Sequence, residues 1–230
     1  MKEIKIDVGG RTLVLKSGEI AKQSSGAVTV QYGDTVVLAT VNASSIPKEG
    51  VDFVPLTVDY RERTYAAGKI PGGFFKREGR PREKEILTSR IVDRTIRPLF
   101  PDGYYRDTQI GITLLSSDIE NDSDVLSVIG VSAALLMSNV PFTIPVAAVR
   151  VGRLNNEFVI NPTYSQRAMS DIDLIISATE KGPVMIEGGN NEVDEASVIS
   201  AINFGLKHIP ELLKCQESFF EKKKAIFEVP

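Results

Sequence analysis

Alternation of apolar and polar residues over the first quarter of the chain predicts a run of β-strands. The segment "IKIDVGGRTLVLKSG" contains two alternating stretches around Gly9-Gly10, which is the pattern of a hairpin. The segment "AVTVQYGDTVVLATVNAS" repeats this pattern, with Tyr32-Gly33-Asp34 as the turn between two β-branched stretches. The segment "VDFVPLTVDY" alternates once more, so the chain is expected to begin with strands.

Two helices are predicted in the middle of the chain. The first covers about residues 82–97 and ends at Pro98, because proline cannot continue a helix. The strand "TQIGITLLSS" follows it. The second helix, "DVLSVIGVSAALLMSN", can be capped by residues 121–123 and is ended by Pro141. Because it is apolar on nearly every side, we expect it to lie inside the domain.

The last third of the chain predicts a return to strands and then helices. The segments "PVAAVRVGRL" and "EFVINPT" are strands, and "DIDLIISATEKGPVMIEGGN" is a hairpin. A helix begins near Val193 and is interrupted at Pro210, and a charged helical segment follows. These elements predict one α/β domain of the α+β kind, in which helices cover a mostly antiparallel or mixed sheet.

Composition excludes several classes of protein. The 230 residues are 42% hydrophobic and 25% charged, which is ordinary for a globular protein. The net charge of −3 excludes a uniformly basic nucleic-acid binder but permits a local basic surface. The single cysteine, Cys215, allows no internal disulfide and suits a reducing cytoplasm. The sequence shows neither a signal peptide nor a long apolar stretch, so we expect no membrane insertion.

The segment from Lys69 to Phe100 combines aromatic and basic residues. Phe74 and Phe75 stand in a glycine turn, and four basic residues follow it: Lys76, Arg77, Arg80 and Arg82. The predicted helix then places three arginines at i, i+4 and i+7, so that they share one stripe: Arg90, Arg94 and Arg97. Leu87 and Ile91, beside this stripe, are expected to attach the helix to the sheet.

Two interpretations of this segment remain open from its residues. In the first, the arginines form local ion pairs on a surface helix and the phenylalanines belong to the core. In the second, the exposed rings stack on unpaired bases, at about 1–3 kcal/mol per base, while guanidinium groups bind phosphates. Arg97 has an alternative role of its own, because next to Pro98 it could instead bond the last helical carbonyls or pair with a carboxylate.

A longer stretch resembles a known family. "VDFVPLTVDYRERTYAAGKIPGGFFKREGRPREKEILTSRIVDRTIRPLFP" is similar to the signature of the bacterial polynucleotide phosphorylase family, in the first of its two ribonuclease-PH-like core repeats. The resemblance extends from "GGRTLVLKSGEIAKQSSGAVTVQYGDTVVLATV" to the final helix. It implies a βαβα sandwich, with residues 1–213 as the first core domain and residues 214–230 as the start of a helical linker.

The resemblance also implies an activity and partners. The implied activity is the processive 3′-to-5′ phosphorolysis of RNA to nucleoside diphosphates, with inorganic phosphate as co-substrate and Mg²⁺ as cofactor. The implied assembly is a homotrimeric ring around a pore, which can have partners in a cytoplasmic RNA-degradation complex. The resemblance assigns the contacts with single-stranded RNA to Phe74, Phe75, Lys76, Arg77, Arg80, Arg90, Arg94 and Arg97. Lys76 departs from the arginine more often found there, which keeps the charge but loses the planar fork.

The phosphorolytic site of that family belongs to its second core repeat, and the matching positions differ here. A serine-rich phosphate loop is replaced by "DIENDSDVLSVIG", whose acids Asp118, Glu120, Asp122 and Asp124 would repel phosphate. The family's Asp, Asp and Lys positions become Arg167, Asp173 and Ile175, so one of three is retained. We therefore expect neither catalytic nor metal-binding residues here, and a surface role for Asp171 and Asp173.

Two functional hypotheses follow. The chain is either the N-terminal core of a phosphorolytic exoribonuclease whose chemistry lies elsewhere in a longer protein, or a non-catalytic RNA-binding scaffold subunit of an exosome-like ring.

Overall fold

The computed structural model describes residues 2–72 and 79–219, and these residues form two sheets and the helices that cover them. The strands are β1 (Lys2–Val8), β2 (Arg11–Ser17), β3 (Gly26–Tyr32), β4 (Thr35–Pro47), β5 (Leu56–Glu62), β6 (Arg106–Ser116), β7 (Ala147–Leu154), β8 (Glu157–Ile160), β9 (Ile172–Thr179) and β10 (Gly182–Asn190). The helices are α1 (Glu83–Ile96), α2 (Asp124–Met137), α3 (Tyr164–Arg167), α4 (Glu195–Leu206) and α5 (Ile209–Glu217), with 3-10 turns at Thr64–Ala67 and Arg97–Leu99.

The first sheet has the strand order β1-β2-β3-β4-β6-β5. Its first four strands form a meander of antiparallel neighbours, and β6 joins β4 antiparallel. Strand β5 runs parallel to β6, because α1 carries the chain back between them as a βαβ crossover. The predicted hairpins around Gly9-Gly10 and Gly33 are confirmed, and all three glycines have the positive φ that such turns favour.

The second sheet is antiparallel and has the order β10-β9-β7-β8. Helix α2 lies between the two sheets, where it contacts β3 and β4 on one side and β7 on the other. Helix α4 covers the outer face of the second sheet against β7 and β9, and α5 contacts the same two strands as well as α2 and β1. The layers are therefore sheet, helix, sheet, helix, which confirms the predicted βαβα sandwich.

Helix α2 is the centre of the core. Every residue from Asp124 to Leu136 is buried, as its all-round apolar pattern predicted. Its close approach to β3 requires a glycine at position 26, because a Cβ atom there would lie 2.1 Å from the carbonyl oxygen of Ala134. The helix is thus pressed directly against the backbone of the first sheet.

The contact face of α1 differs from the prediction in part. Ile91 is buried, but Leu87 is 44% exposed and does not attach the helix to the sheet. The buried face instead combines apolar and small polar side chains: Thr88, Ile91, Val92, Thr95 and Ile96. The two buried threonines shift this face around the helix, away from Leu87.

The break at Pro210 is confirmed, because α4 ends at Leu206 and α5 begins at Ile209. The predicted domain boundary after residue 213 falls inside α5, whose Leu212, Leu213 and Gln216 are buried. The division into a core and a linker stays a prediction, and residues 220–230 lie outside the described part. Within the described residues, no helix combines the length and the apolar character needed to cross a membrane.

Candidate nucleic-acid interface

Helix α1 presents two of the three striped arginines to solvent. Arg90 is exposed at a cleft of about 400 Å³ between α1 and β5, and no described carboxylate lies within ion-pair distance of it. The Nη1 atom of Arg94 lies 2.6 Å from Oε2 of Glu187, and both side chains are more than a third exposed. A pair of this kind contributes about 0–1 kcal/mol, so Arg94 can exchange its partner at little cost.

Arg97 is held by the protein itself. Its Nε and Nη2 atoms donate to the carboxylate of Asp93 at 3.0 and 2.6 Å. Its Nη1 and Nη2 atoms also donate to the carbonyl oxygens of Val54 and Leu56, at 2.8 and 3.1 Å. The guanidinium therefore attaches the end of α1 to the start of β5. These contacts favour the structural alternative for Arg97, and its RNA contact stays a prediction.

We expect Arg97→Ala to lower the free energy of unfolding by about 1–3 kcal/mol, because three hydrogen-bonded groups lose a charged donor. Arg90→Ala is the matched control on the same helix, and it should change stability by no more than about 0.5 kcal/mol. Urea denaturation of both variants measures the difference. Equal midpoints for the two variants would show that the Arg97 contacts add nothing to stability.

The other residues predicted to bind RNA fall into two groups. Phe74, Phe75, Lys76 and Arg77 lie outside the described residues. Arg80 is exposed and lines a cavity of about 210 Å³ in front of the first turn of α1. Their contacts with RNA stay predictions.

The structure joins six charged side chains at the N-terminus of α2, and we refer to them as the ionic cluster: Lys84, Asp122, Asp124, Arg150, Arg167 and Asp173. Arg150 donates to Asp124 and to Asp173. Arg167 donates to Oδ2 of Asp122 at 2.7 Å and to Oδ2 of Asp173 at 2.8 Å. Nζ of Lys84 lies 3.2 Å from Oδ1 of Asp122. Three acids thus face three bases.

Burial and neighbouring charges set the protonation of the cluster. Burial raises the pKa of Asp124, and the adjacent Asp122 raises it further. Burial alone would also raise the pKa of Asp122, but the charges of Lys84, Arg150 and Arg167 outweigh it and lower the pKa. Asp122 therefore carries the negative charge that the surrounding bases neutralise.

The cluster changes the interpretation of the acids in "DIENDSDVLSVIG". Asp122 and Asp124 do not face solvent as bare charges, because lysine and arginine side chains of the same chain neutralise them. The prediction of a surface role holds for Asp171, which pairs with Arg153. It is wrong for Asp173, which binds Arg150 and Arg167 in the cluster.

Asp118 has a different function in the same segment. Its carboxylate accepts hydrogen bonds from the backbone of Glu120 at 2.9 Å and Asn121 at 2.8 Å, and from the Thr35 hydroxyl at 2.9 Å. Burial by itself would raise the pKa of Asp118, but these bonds outweigh it and lower the pKa to about 2. The side chain therefore fixes the loop before α2 against the β3–β4 turn.

This pKa predicts a pH-dependent effect of Asp118→Asn, which imitates the protonated carboxyl. A carboxyl with a lowered folded pKa stabilises the protein above its unfolded pKa of about 3.8 and loses this effect as the pH falls towards 2. The variant should therefore be less stable than the parent at about pH 6 and match it near pH 2. Urea denaturation at several pH values measures this, with the exposed Asp52→Asn as control. A constant difference across the range would contradict the assignment.

Sequence reasoning missed three members of this region. The sequence predicted no role for Lys84, Arg150 or Tyr164. In the structure, Nζ of Lys84 donates to the Tyr164 hydroxyl at 2.7 Å. Burial raises the pKa of Tyr164 to about 12, so the phenol stays neutral. The one available signal was Arg150 itself, since an arginine inside the apolar segment "VAAVRVG" requires buried acids as partners.

The described residues do not suit a divalent metal. Among residues 2–72 and 79–219, no group of three or more His, Cys, Asp or Glu side chains is placed to hold a metal ion. Asp124 and Asp173 direct oxygen atoms to guanidinium groups, which leaves them poor ligands for Mg²⁺.

Comparison with solved structures defines the fold. The chain superposes on a chain of the Archaeoglobus fulgidus exosome with RNA bound to the active site, with a TM-score of 0.71, 19% identity, and coverage of 91% of this chain and 88% of the other. It superposes on rice (Oryza sativa) Rrp46 with a TM-score of 0.72, 14% identity, and coverage of 91% and 94%. The chain thus has the same fold as these two proteins.

Sequence comparison then gives the family. The model of the 3′ exoribonuclease family, domain 1, matches residues 9–141, and the model of domain 2 matches residues 145–208. The chain belongs to the 3′ exoribonuclease family. It is 50% identical over 225 residues to a polyribonucleotide nucleotidyltransferase of Endomicrobium trichonymphae, covering 98% of this chain and 33% of the relative. It is 55% identical to that of Rhodospirillum centenum, with coverage of 86% and 28%. The chain spans about a third of the length of these relatives.

Proposed function

We propose that the chain is the N-terminal core of a cytoplasmic phosphorolytic 3′-to-5′ exoribonuclease, which cleaves RNA with inorganic phosphate and releases nucleoside diphosphates. In this proposal the core binds single-stranded RNA and contributes to a homotrimeric ring, which can join an RNA-degradation complex. The phosphorolytic site, with its Mg²⁺, belongs to another part of the longer protein.

The ionic cluster is the observation that supports a phosphorolytic site outside this chain. A phosphate loop needs free N–H groups, hydroxyls or cations to bind an oxyanion. Here the cations Arg150 and Arg167 are already paired with Asp122, Asp124 and Asp173 of the same chain. An incoming phosphate would have to displace these carboxylates, of which Asp124 is buried and the Asp122 side chain is only 9% exposed. Phosphorolysis at this position is therefore disfavoured.

Exposed arginines support the binding of RNA. Arg80 and Arg90 are exposed, and no carboxylate of the described residues pairs with either of them, although the chain is acidic overall. Unpaired guanidinium groups bind phosphate in a bidentate way. In the proposal, these groups and the residues Phe74, Phe75, Lys76 and Arg77 line the path of the strand.

The isolated 230-residue chain is expected to release no nucleoside diphosphate above a blank when it is incubated with poly(A), Mg²⁺ and phosphate. The same chain should still bind a short oligoadenylate. Its log affinity should fall with log salt by about 0.7 for each neutralised phosphate, and Arg90→Ala should make that slope shallower. Robust release by the isolated chain would place the phosphorolytic site within it and contradict the proposal.

The full-length protein separates the proposal from the scaffold hypothesis. A phosphorolytic enzyme should degrade poly(A) in a phosphate-dependent way, whereas a scaffold subunit should bind RNA without degrading it.

A further inference from the structure

We propose that Glu187 competes with RNA for Arg94. In the free protein the carboxylate of Glu187 occupies the guanidinium group, and a backbone phosphate of single-stranded RNA displaces it on binding. This inference rests on the proposed function and adds a residue that limits the affinity for RNA, which the sequence did not suggest.

The three striped arginines of α1 differ in how firmly the protein holds them. Arg97 is bound by Asp93 of its own helix and by two backbone carbonyls. Arg90 is exposed, and no carboxylate in the part of the chain that the structure describes pairs with it. Arg94 is also exposed, but its partner Glu187 belongs to β10 of the second sheet. The availability of Arg94 therefore depends on a group outside α1.

The backbone of the second sheet fixes the position of Glu187. Strand β10 is the outermost strand of that sheet, and Glu187 lies opposite Ile175 of β9. The next residue, Gly188, is so close to β9 that a Cβ atom on it would lie 2.2 Å from the carbonyl oxygen of Asp173. The backbone at Glu187 thus has little freedom to follow Arg94 when that side chain turns to a ligand.

Arg94 and Glu187 meet where α1 passes the edge of the second sheet. A cleft of about 480 Å³ lies between them, with Leu87 and Ile91 of α1 on one side and Glu187 and Gly188 on the other. The side chain of Arg94 is 51% exposed and that of Glu187 is 38% exposed. A ligand can therefore reach the guanidinium group from solvent without any movement of the helix.

The carboxylate of Glu187 offers Arg94 the same kind of acceptor as a phosphate. The contact joins Nη1 of Arg94 to Oε2 of Glu187 at 2.6 Å. A phosphodiester also presents two oxygens, which a guanidinium group can bind with two parallel N–H groups. Because an exposed ion pair is weak, a phosphate can displace the carboxylate, but the displacement lowers the net affinity. Removal of the carboxylate should therefore strengthen the binding of RNA.

The test measures the affinity of the full 230-residue chain for a fluorescent oligoadenylate at several salt concentrations. Glu187→Gln should raise the affinity about two- to fivefold at low salt, which is the range that an exposed ion pair allows. It should also steepen the salt slope by up to about 0.7, because Arg94 then neutralises a phosphate without losing a carboxylate. Arg94→Gln should weaken binding, and Glu187→Gln should add nothing to it in the double variant.

Glu180→Gln is the matched control for net charge. Glu180 is exposed and precedes β10 at the other end of the same hairpin, so its replacement changes the charge of the protein equally. This variant should leave affinity and slope unchanged. Thermal melting shows whether each variant is folded, and Glu187→Gln should melt close to the parent.

The outcomes separate this inference from the proposed function. If the parent chain binds the oligoadenylate and Glu187→Gln matches it in affinity and slope, Glu187 does not compete and the proposed function stands. A gain that persists in the double variant would mean a general repulsion and would also overturn the competition. If neither the parent nor Glu187→Gln binds, both are wrong. Inorganic phosphate at matched ionic strength should not abolish the gain. Its loss would assign Arg94 to a free anion and overturn the RNA assignment.

Discussion

Arg150→Met is expected to lower the free energy of unfolding by about 3–5 kcal/mol, which is the cost of removing one partner from a buried ion pair. The Arg150 side chain is 7% exposed and binds Asp124 and Asp173, of which Asp124 is equally buried. Methionine fills a similar volume but leaves the carboxylate of Asp124 without its guanidinium. Urea denaturation at neutral pH, with midpoint and slope compared between variant and parent, measures the loss.

Arg153→Met is the matched control for Arg150→Met on the same strand. Arg153 pairs with Asp171, whose side chain is 43% exposed, so its loss should cost much less stability than the loss of Arg150. The deficit of Arg150→Met should shrink as the pH falls through the folded pKa of Asp124, because a neutral carboxyl needs no counter-charge. Equal losses in the free energy of unfolding for the two variants would show that burial does not increase the contribution of the ionic cluster to stability.

Gly26→Ala is expected to destabilise the protein by about 3 kcal/mol, at the upper end of what overpacking costs. The new methyl group would lie 2.1 Å from the carbonyl oxygen of Ala134 and 3.1 Å from Cβ of Ser138, both in or next to α2. Backbone must move to relieve this overlap, and α2 is held between two sheets. For a chain of this size the change corresponds to a fall in Tm of about 6–12 °C, measurable by calorimetry.

Gly189→Ala tests the same substitution in open space. Gly189 lies in β10, and no atom comes within 4 Å of a Cβ atom built on it. Its replacement should change stability by no more than about 0.5 kcal/mol. A mild effect at Gly26, similar to that at Gly189, would mean that α2 can withdraw from β3 freely.

The strands and the central helix could be predicted from the sequence because their patterns are local. Alternation identified the hairpins, and an apolar sequence on every face identified α2 as the buried helix. The face of α1 could not be assigned in the same way. Thr88 and Thr95 are polar by composition but buried, and the Thr95 hydroxyl bonds to the Ser177 hydroxyl at 3.1 Å. Such a partner lies far along the chain, so hydrophobicity alone favoured Leu87 over Thr88.

The ionic cluster could not be predicted as a unit for the same reason. Its members come from α1, the N-terminus of α2, β7, α3 and β9, and only the packing of both sheets around α2 brings them together. Sequence similarity pointed to Arg167 and Asp173 as positions that match catalytic acids of the family, the first altered and the second retained, and the structure places them in direct contact. It gave no reason to connect them with Lys84 or Arg150. The pairing of charges therefore had to be read from the fold.

The position of β6 in the first sheet has a consequence for the order of folding. Strands β1 to β4 pair with their neighbours in the chain and can form early, during synthesis. Ile110 of β6 must then pair with Val41 on one side and Val58 on the other, both far back in the sequence. Until β6 arrives, β4 presents an open apolar edge that can pair with a second chain. The interval between the emergence of β4 and that of β6 is thus the period in which the nascent protein is most exposed to aggregation.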